Sequence, residues 1–242
     1  GVFVPHMLLP NKNVDLTRWA VVACDQYTSQ PEYWEETERI VGDAPSTLRL
    51  MLPEMYLGKP DEAERITKIN ATMDKYVLDG TLEDKGEGFV LTRRSVAGNV
   101  RTGIVMALDL ECYDYNKGAT TLIRATEGTI VERIPPRLRI RENAPLEMPH
   151  ILVLIDDPEK TVIEPTLAKY ASKEKLYDFE LMQKGGHIEG WFVGCENEIK
   201  RIIRALEKLA DKDAYKAKYG KEHPMLFAMG DGNHSFATAK AN

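Results

Sequence analysis

The sequence predicts a mixed α/β (α+β) fold, a partly antiparallel sheet with helices packed on it, and three stretches carry that prediction. Glu196 to Leu209 places Ile199, Ile202, Ile203, Leu206 and Leu209 at helical spacing, the apolar stripe of a helix lying on a core. Gly88 to Arg94 and Arg101 to Leu110 are rich in Val, Ile and Thr and are joined through Ala97-Gly98-Asn99, which reads as an antiparallel hairpin. Near the end of the chain, Met225 to Met229 is a short apolar run bounded by Pro224 and Gly230, while Phe236 to Ala241 favours helix. A strand, a polar turn and a helix follow one another there.

The other elements are read in chain order. Val2 to Leu9 and Trp19 to Cys24 suit two short strands, the second for its run Ala20-Val21-Val22-Ala23. Pro31 to Val41 reads as a helix with Pro31 at its first position. Leu48 to Leu57, broken by Pro53, is an extended loop or short strand. Pro60 to Leu78 is a helix, with Ile66, Ile69, Met73, Tyr76 and Val77 at helical spacing and Gly80 as its stop. The aliphatic run Ile151 to Ile155 predicts a strand at the centre of a sheet. A short helix over Thr161 to Lys169, a strand over Leu176 to Met182 and a Gly185-Gly186 turn into His187 to Val193 follow. His187, placed directly after two glycines, is either structural or within reach of a ligand. Asp211 to His223 is a charged connection with room for a second short helix.

No repeat, low-complexity tract or linker forces a cut, so 1–242 reads as a single globular unit, with any sub-boundary near 111–120. Phe236 to Asn242 is short for an independent helix, so the expectation is that the natural chain continues past Asn242. The net charge of −6 and 29% charged residues argue against a broad nucleic-acid surface and leave a local pocket for a small anionic ligand open. Cys24, Cys112 and Cys195 are too far apart for a paired metal or redox motif. They read as reduced thiols of a cytoplasmic protein. No apolar run reaches the ~20 residues of a membrane span.

Chemistry concentrates in Gly230-Asp231-Gly232-Asn233-His234-Ser235. The first amides of a helix lack intrahelical acceptors and carry the positive end of its dipole, so an anion can dock there. Gly230 and Gly232 permit a sharp turn and a close approach. Asp231, Asn233, His234 and Ser235 offer a carboxylate, an amide, an imidazole and a hydroxyl. A plain Gly-Asp-Gly turn with Ser235 as helix cap, or a polar surface loop, is the competing reading. Upstream, Arg124, Arg133, Arg137, Arg139 and Arg141 crowd a stretch that also holds Thr126, Glu127 and Pro135-Pro136. Such a stretch is either a solvated face laced with ion pairs or an anion clamp.

The run Gly230 to Lys240 resembles the family catalogued as a domain of unknown function, DUF 1015, whose hallmark is Asp-Gly-[His/Asn]-His at a helix start. Val21 to Tyr27, Arg101 to Val105 and the arginine block extend the resemblance over nearly the whole chain. That hallmark is similar to the Asp-Gly-His-His-Arg box of the ParB/sulfiredoxin-like fold, which includes free-serine kinases and nucleotide-binding proteins. In those proteins the box caps a helix that holds nucleotide phosphates. Asp231, Gly232, Asn233 and His234 keep the pattern, and Ser235 replaces its Arg. The resemblance therefore implies that Arg124, Arg133, Arg137 or Arg139 would supply the missing cation.

The leading expectation is a small-molecule phosphotransferase, free amino-acid kinase-like, using Mg²⁺ and ADP or ATP. The amides of Asn233, His234 and Ser235, with Gly230 and Gly232, would hold phosphate. Asp231 would bind Mg²⁺ or act as base, His234 would donate to phosphate, and Glu127 or Asp25 would be the second carboxylate. Two alternatives stand beside it: an anion- or nucleotide-sensing regulatory protein without catalysis, and a metal-dependent phosphoesterase suggested by Gly230-Asp231 and Gly232-Asn233-His234.

Overall fold

The computed structural model describes residues 1–148 and 150–242. The chain opens with β1 (Val2–Phe3) and β2 (His6–Pro10), so the expected strand over Val2 to Leu9 is two strands with different partners, separated at Val4-Pro5. Asp15 then caps α1 (Leu16–Trp19) by accepting from the Thr17 N–H. The strand expected over Trp19 to Cys24 does not form. Trp19 ends the helix and is buried against Tyr76, and Val21 donates its N–H to the Thr47 hydroxyl at 3.2 Å instead of to a neighbouring strand. Val21 and Val22 pack beside the buried Trp34 of α2 (Pro31–Val41), the helix that Pro31 opens. Leu48 to Leu57 folds as two 3₁₀ turns, Thr47–Arg49 and Glu54–Tyr56.

α3 (Glu62–Leu78) buries Ile69, Met73 and Tyr76 against Trp19, Leu50, Leu52 and Leu82. Its stripe ends earlier than its sequence suggests, since Val77 is exposed. β3 (Leu82–Glu87), a charged stretch with no apolar alternation, pairs antiparallel with β2. β4 (Phe89–Val96) and β5 (Asn99–Val105) make the predicted hairpin, and β6 (Ala107–Leu108) returns to β1. β7 (Tyr113–Asp114) and β8 (Ile123–Arg124) follow, then the 3₁₀ turn Val131–Arg133 and α4 (Ile134–Arg141), which carries Pro135 and Pro136 in its first turn.

β9 (Leu152–Leu154) lies at an edge of its sheet, not at the centre as its aliphatic run suggested, and Leu154 is more than half exposed. α5 (Ile163–Tyr170), β10 (Tyr177–Leu181), β11 (Gly186–Val193) and α6 (Glu196–Leu209) complete the predicted middle. The charged connection after it contains α7 (Lys212–Tyr219), capped by Asp211 and stopped by Gly220 in the left-handed region. β12 (Phe227–Asp231) and α8 (Asn233–Ala241) close the chain.

Two four-stranded sheets organise the molecule. One has the order β10-β11-β4-β5 and is wholly antiparallel. The other, β7-β8-β12-β9, is parallel except for β9, with β12 inside. Phe89 and Leu91 of β4, Trp191 and Val193 of β11, Ile123, Phe227 and Met229 of the second sheet, Ile202 of α6 and Phe236 of α8 share one core. Each such fully buried aliphatic or aromatic side chain contributes roughly 1.5–3 kcal/mol relative to an exposed one. That core fixes where β12 ends and therefore where α8 begins. Among the described residues no helix is long and apolar enough to cross a membrane.

Candidate functional site

The turn between β12 and α8 is shaped by its two glycines in different ways. Register slips between Met229 and Asp231 where β12 pairs with β9, which makes Gly230 the extra residue of a bulge. A Cβ on Gly230 would lie 3.2 Å from the Leu152 carbonyl oxygen. Gly232 takes φ +78°, the left-handed region, and a Cβ there would sit 3.3 Å from Cγ1 of Ile151. Both glycines are thus demanded by the neighbouring β9 segment, whatever approaches from outside. Gly232, not Ser235, is the capping residue of α8, and no side chain caps the helix. The amides of Asn233, His234 and Ser235 have no acceptor among the described residues.

The segment from Thr126 to Arg141 folds over this turn and is tied to it at successive points. Thr126 Oγ1 donates to the Met229 carbonyl at 2.6 Å, and the Ile130 N–H donates to Nε2 of His234 at 3.1 Å. Asn233 Nδ2 reaches Thr129 Oγ1 at 3.5 Å. Arg141 Nη1 donates to the Ser235 carbonyl at 2.7 Å, and α4 packs on α8. Ser235 itself is buried with its hydroxyl 2.9 Å from Nε2 of His150.

His234 is the electrostatic centre of the group. Burial holds its pKa below the usual imidazole value, and the charges of Arg133 and Arg137 push it the same way, against Glu127 and Glu54. Because Nε2 accepts the Ile130 N–H, the neutral ring carries its proton on Nδ1. His234 therefore meets the turn as a neutral ring with a donor on Nδ1, with Arg133 and Arg137 set against Glu127 and Glu54 around it.

The arginines divide by partner. Arg124 spends its guanidinium on the carbonyls of Thr121, His223 and Pro224. Arg139 pairs with the buried Glu62 at 2.9 Å. Arg137 is ion-paired with Glu54 and also donates to the Arg133 carbonyl at 2.8 Å. Arg133 is exposed and makes no ion pair among the described residues. The block is thus ion-paired for much of its length, and the part bearing on His234 is Arg133 and Arg137.

Asp231 is exposed, and its Oδ1 accepts the N–H of Gly232 at 2.9 Å. Glu127 is exposed and close enough to act on His234. Asp25 lies in the half-buried loop after Cys24, whose thiol is pushed up to about 12 by burial, then by Asp25 and Glu54, and drawn back by Arg137. The Glu54 N–H donates to the Cys24 carbonyl at 2.8 Å. Arg137 and Glu54 thereby link the N-terminal loop to the C-terminal turn.

Glu54 and His150 join the site without any signal of their own in the sequence, and Thr126, Thr129 and Arg141, part of the dense arginine stretch, join it in roles that stretch did not reveal. His150, Arg141, Thr126 and Thr129 meet the turn from 85 to 104 positions away in the chain, and Glu54 pairs with Arg137, 83 positions from it. Among the described residues, the grouping with metal-ligand spacing is Asp178, His187 and Glu189, on β10 and β11. It lies on the other sheet, and Lys175 bridges Asp178 and Glu189 there.

No curated protein and no solved structure matches the chain. A family model does match it, over residues 8–242, that is, over nearly all of its length. The chain belongs to the family described as protein of unknown function (DUF1015).

Proposed function

We propose that this protein binds a small phosphorylated ligand, a nucleotide with Mg²⁺ in the first instance, at the β12–α8 turn and transfers a phosphoryl group to a small hydroxyl compound. The observation that carries the reading is the charge environment of His234: two guanidiniums, Arg133 and Arg137, bear on a neutral imidazole at a helix start whose first amides have no acceptor among the described residues. Free amides at a helix start with guanidiniums nearby suit an anionic group, and the carboxylates of Glu127 and Asp231 beside them suit a ligand that brings Mg²⁺.

In this proposal the amides of Asn233, His234 and Ser235 hold phosphate oxygens, Nδ1 of His234 donates to one of them, and Arg133 neutralises charge where the ParB/sulfiredoxin-like box has its own Arg. Gly230 and Gly232 shape the cradle, while Arg124 and Arg139 keep structural roles. Asp231 suits Mg²⁺, which takes one or two carboxylates beside substrate phosphates: its carboxylate is exposed, with one oxygen engaged by Gly232. Glu127 or Asp25 orients the attacking hydroxyl. The ADP or ATP site lies in a cytoplasmic protein, a setting supported by three free thiols.

A second reading, nucleotide or anion sensing without turnover, is favoured by the ion pair between Arg137 and Glu54, which already offsets one of the two cations.

The test is thermal denaturation with ADP or ATP plus Mg²⁺, since a ligand that binds only the folded chain raises its melting temperature. The expected result is a rise that Arg133→Ala and His234→Ala abolish and that Asp231→Asn makes independent of Mg²⁺. No rise with any nucleotide or pyrophosphate overturns the reading. A rise without phosphate transfer to serine or another hydroxyl compound leaves the sensor.

A further inference from the structure

The hydroxyl of Tyr113 has no hydrogen-bond partner among the described residues, although the side chain is 1% exposed. Native structures rarely leave such a group unsatisfied without a functional or solvent partner. Its position is informative. The Tyr113 ring packs on Phe236 with centroids 4.6 Å apart, and Phe236 lies three residues after Asn233, on the same face of α8. The phenol extends from that contact toward Thr129, which is close enough to act on its acidity. Thr129 in turn meets Asn233 Nδ2 at 3.5 Å, the outer limit of a hydrogen bond. Asn233 is itself 4% exposed.

Two hydroxyls and an amide therefore converge beneath the first turn of α8 while using little of their bonding capacity. All three can donate hydrogen bonds. They lie under the helix start, whose first amides add further donors, next to the His234 ring on which Arg133 and Arg137 bear against Glu127 and Glu54. A ligand oxygen that accepts several hydrogen bonds, as a phosphoryl oxygen does, complements these donors.

We propose that Tyr113, Thr129 and Asn233 form the inner end of the site and bind an oxygen of the ligand's phosphoryl group through uncharged donors. This rests on the phosphate-binding reading above and adds a buried subsite to it. Burial pushes the Tyr113 phenol up to about 12, so it remains a donor at neutral pH. Donors held in a low-dielectric site act on an oxyanion more strongly than they would in water.

The experiment is titration calorimetry of the wild-type chain, Tyr113→Phe, Thr129→Val and Arg133→Ala with Mg²⁺-ADP, pyrophosphate and inorganic phosphate, together with ligand-free melting. The expected result for Tyr113→Phe is an unchanged or raised ligand-free melting temperature, since the lost hydroxyl had no partner, and affinity weakened about tenfold or more for every phosphorylated probe. Thr129→Val should weaken the same set. If Tyr113→Phe binds all three probes as the wild type does while Arg133→Ala loses them, the subsite is wrong and the phosphate reading survives. If Tyr113→Phe weakens Mg²⁺-ADP alone, the hydroxyl does not contact phosphoryl oxygen and the assignment falls. If the wild-type chain binds none of the probes, both proposals fall together.

Discussion

The backbone N–H of Ile130 donates to Nε2 of His234 across 3.1 Å, joining two residues 104 positions apart in the chain. This contact fixes which nitrogen of His234 carries the proton, while burial and two arginines nearby set the sign of a pH effect. The folded-state pKa of His234 lies below its ordinary value of 6.5. Between that value and the depressed one, the unfolded chain holds a proton that the folded chain lacks. Stability therefore falls as pH drops through this window and levels off below it. His187 acts in the opposite sense: Glu180, then Asp178, raise its pKa above 6.5, so its contribution is full below 6.5 and is lost as pH rises through the folded value. Urea denaturation from about pH 5 to 8, the range in which histidine titrates, should show the acid-side loss reduced in His234→Gln. In His187→Gln the loss on raising pH should shrink instead. An unchanged acid-side slope in His234→Gln means the imidazole is not screened from protons as described.

The pair of Arg137 with Glu54 gives a second expectation. Both side chains are largely buried, 14% and 17% exposed, whereas Arg139 is 53% exposed in its pair with Glu62. Removing one member of a buried pair strands the other's charge, so Arg137→Met should destabilise by ~2–4 kcal/mol in urea denaturation. Arg139→Met should cost less, because its guanidinium is half in solvent and the carboxylate of the buried Glu62 keeps the Gly58 N–H as a partner. Restoring stability in the double variant Arg137→Met with Glu54→Gln would confirm that the cost is the stranded carboxylate. Equal costs at Arg137 and Arg139 would contradict the difference in burial.

Gly232 separates backbone strain from crowding. It has φ +78°, and Cγ1 of Ile151 lies 3.3 Å from where a Cβ would stand, whereas Gly220 has φ +66° with open space around it. Asn tolerates the left-handed region better than Ala. At Gly220, Asn should therefore be nearly neutral and Ala should cost about 1 kcal/mol. At Gly232 both substitutions should cost more than at Gly220, because each adds the contact with Ile151 to the backbone term. A neutral Gly232→Asn in thermal melts would show that Ile151 yields freely.

These contrasts also show which parts of the structure the sequence could reveal. α2, α6 and the β4–β5 hairpin are legible because apolar spacing, Pro31 and Gly98 act locally. Trp19 to Cys24 misleads because a β-branched run becomes a strand only beside a partner, and Val21 finds Thr47 instead. β3 escapes notice because its pairing with β2 supplies what Glu83, Asp84 and Lys85 do not advertise. At the candidate site, the strand-turn-helix of Gly230 to His234 can be read directly. The division of labour among the arginines cannot, since Glu54 and Glu62 stand 83 and 77 residues from the arginines they engage.

Cys24 offers a test of how the N-terminal loop meets α4. Its thiol is pushed up to about 12 by burial first, then by Asp25 and Glu54, while Arg137 draws it down. Cys195 is the contrasting thiol: exposed at the start of α6, it has its pKa lowered first by the nearby backbone N–H groups of Glu198 and Asn197 and further by Lys169 and Lys173. Thiolate is the nucleophile, so iodoacetamide near neutral pH should modify Cys195 first and leave Cys24 intact in the folded chain. Cys195→Ser should remove the fast phase and nothing else. Asp25→Asn and Glu54→Gln each take a negative charge from beside Cys24, so each should speed its alkylation relative to the parent at equal folded fraction, measured by peptide mass spectrometry. Arg137→Met should slow it at equal folded fraction, since it removes a cation that favours the thiolate. If all three variants alkylate Cys24 at the parent rate, the charges of Asp25, Glu54 and Arg137 do not reach the thiol, and the link between the N-terminal loop and the β12–α8 turn fails with them.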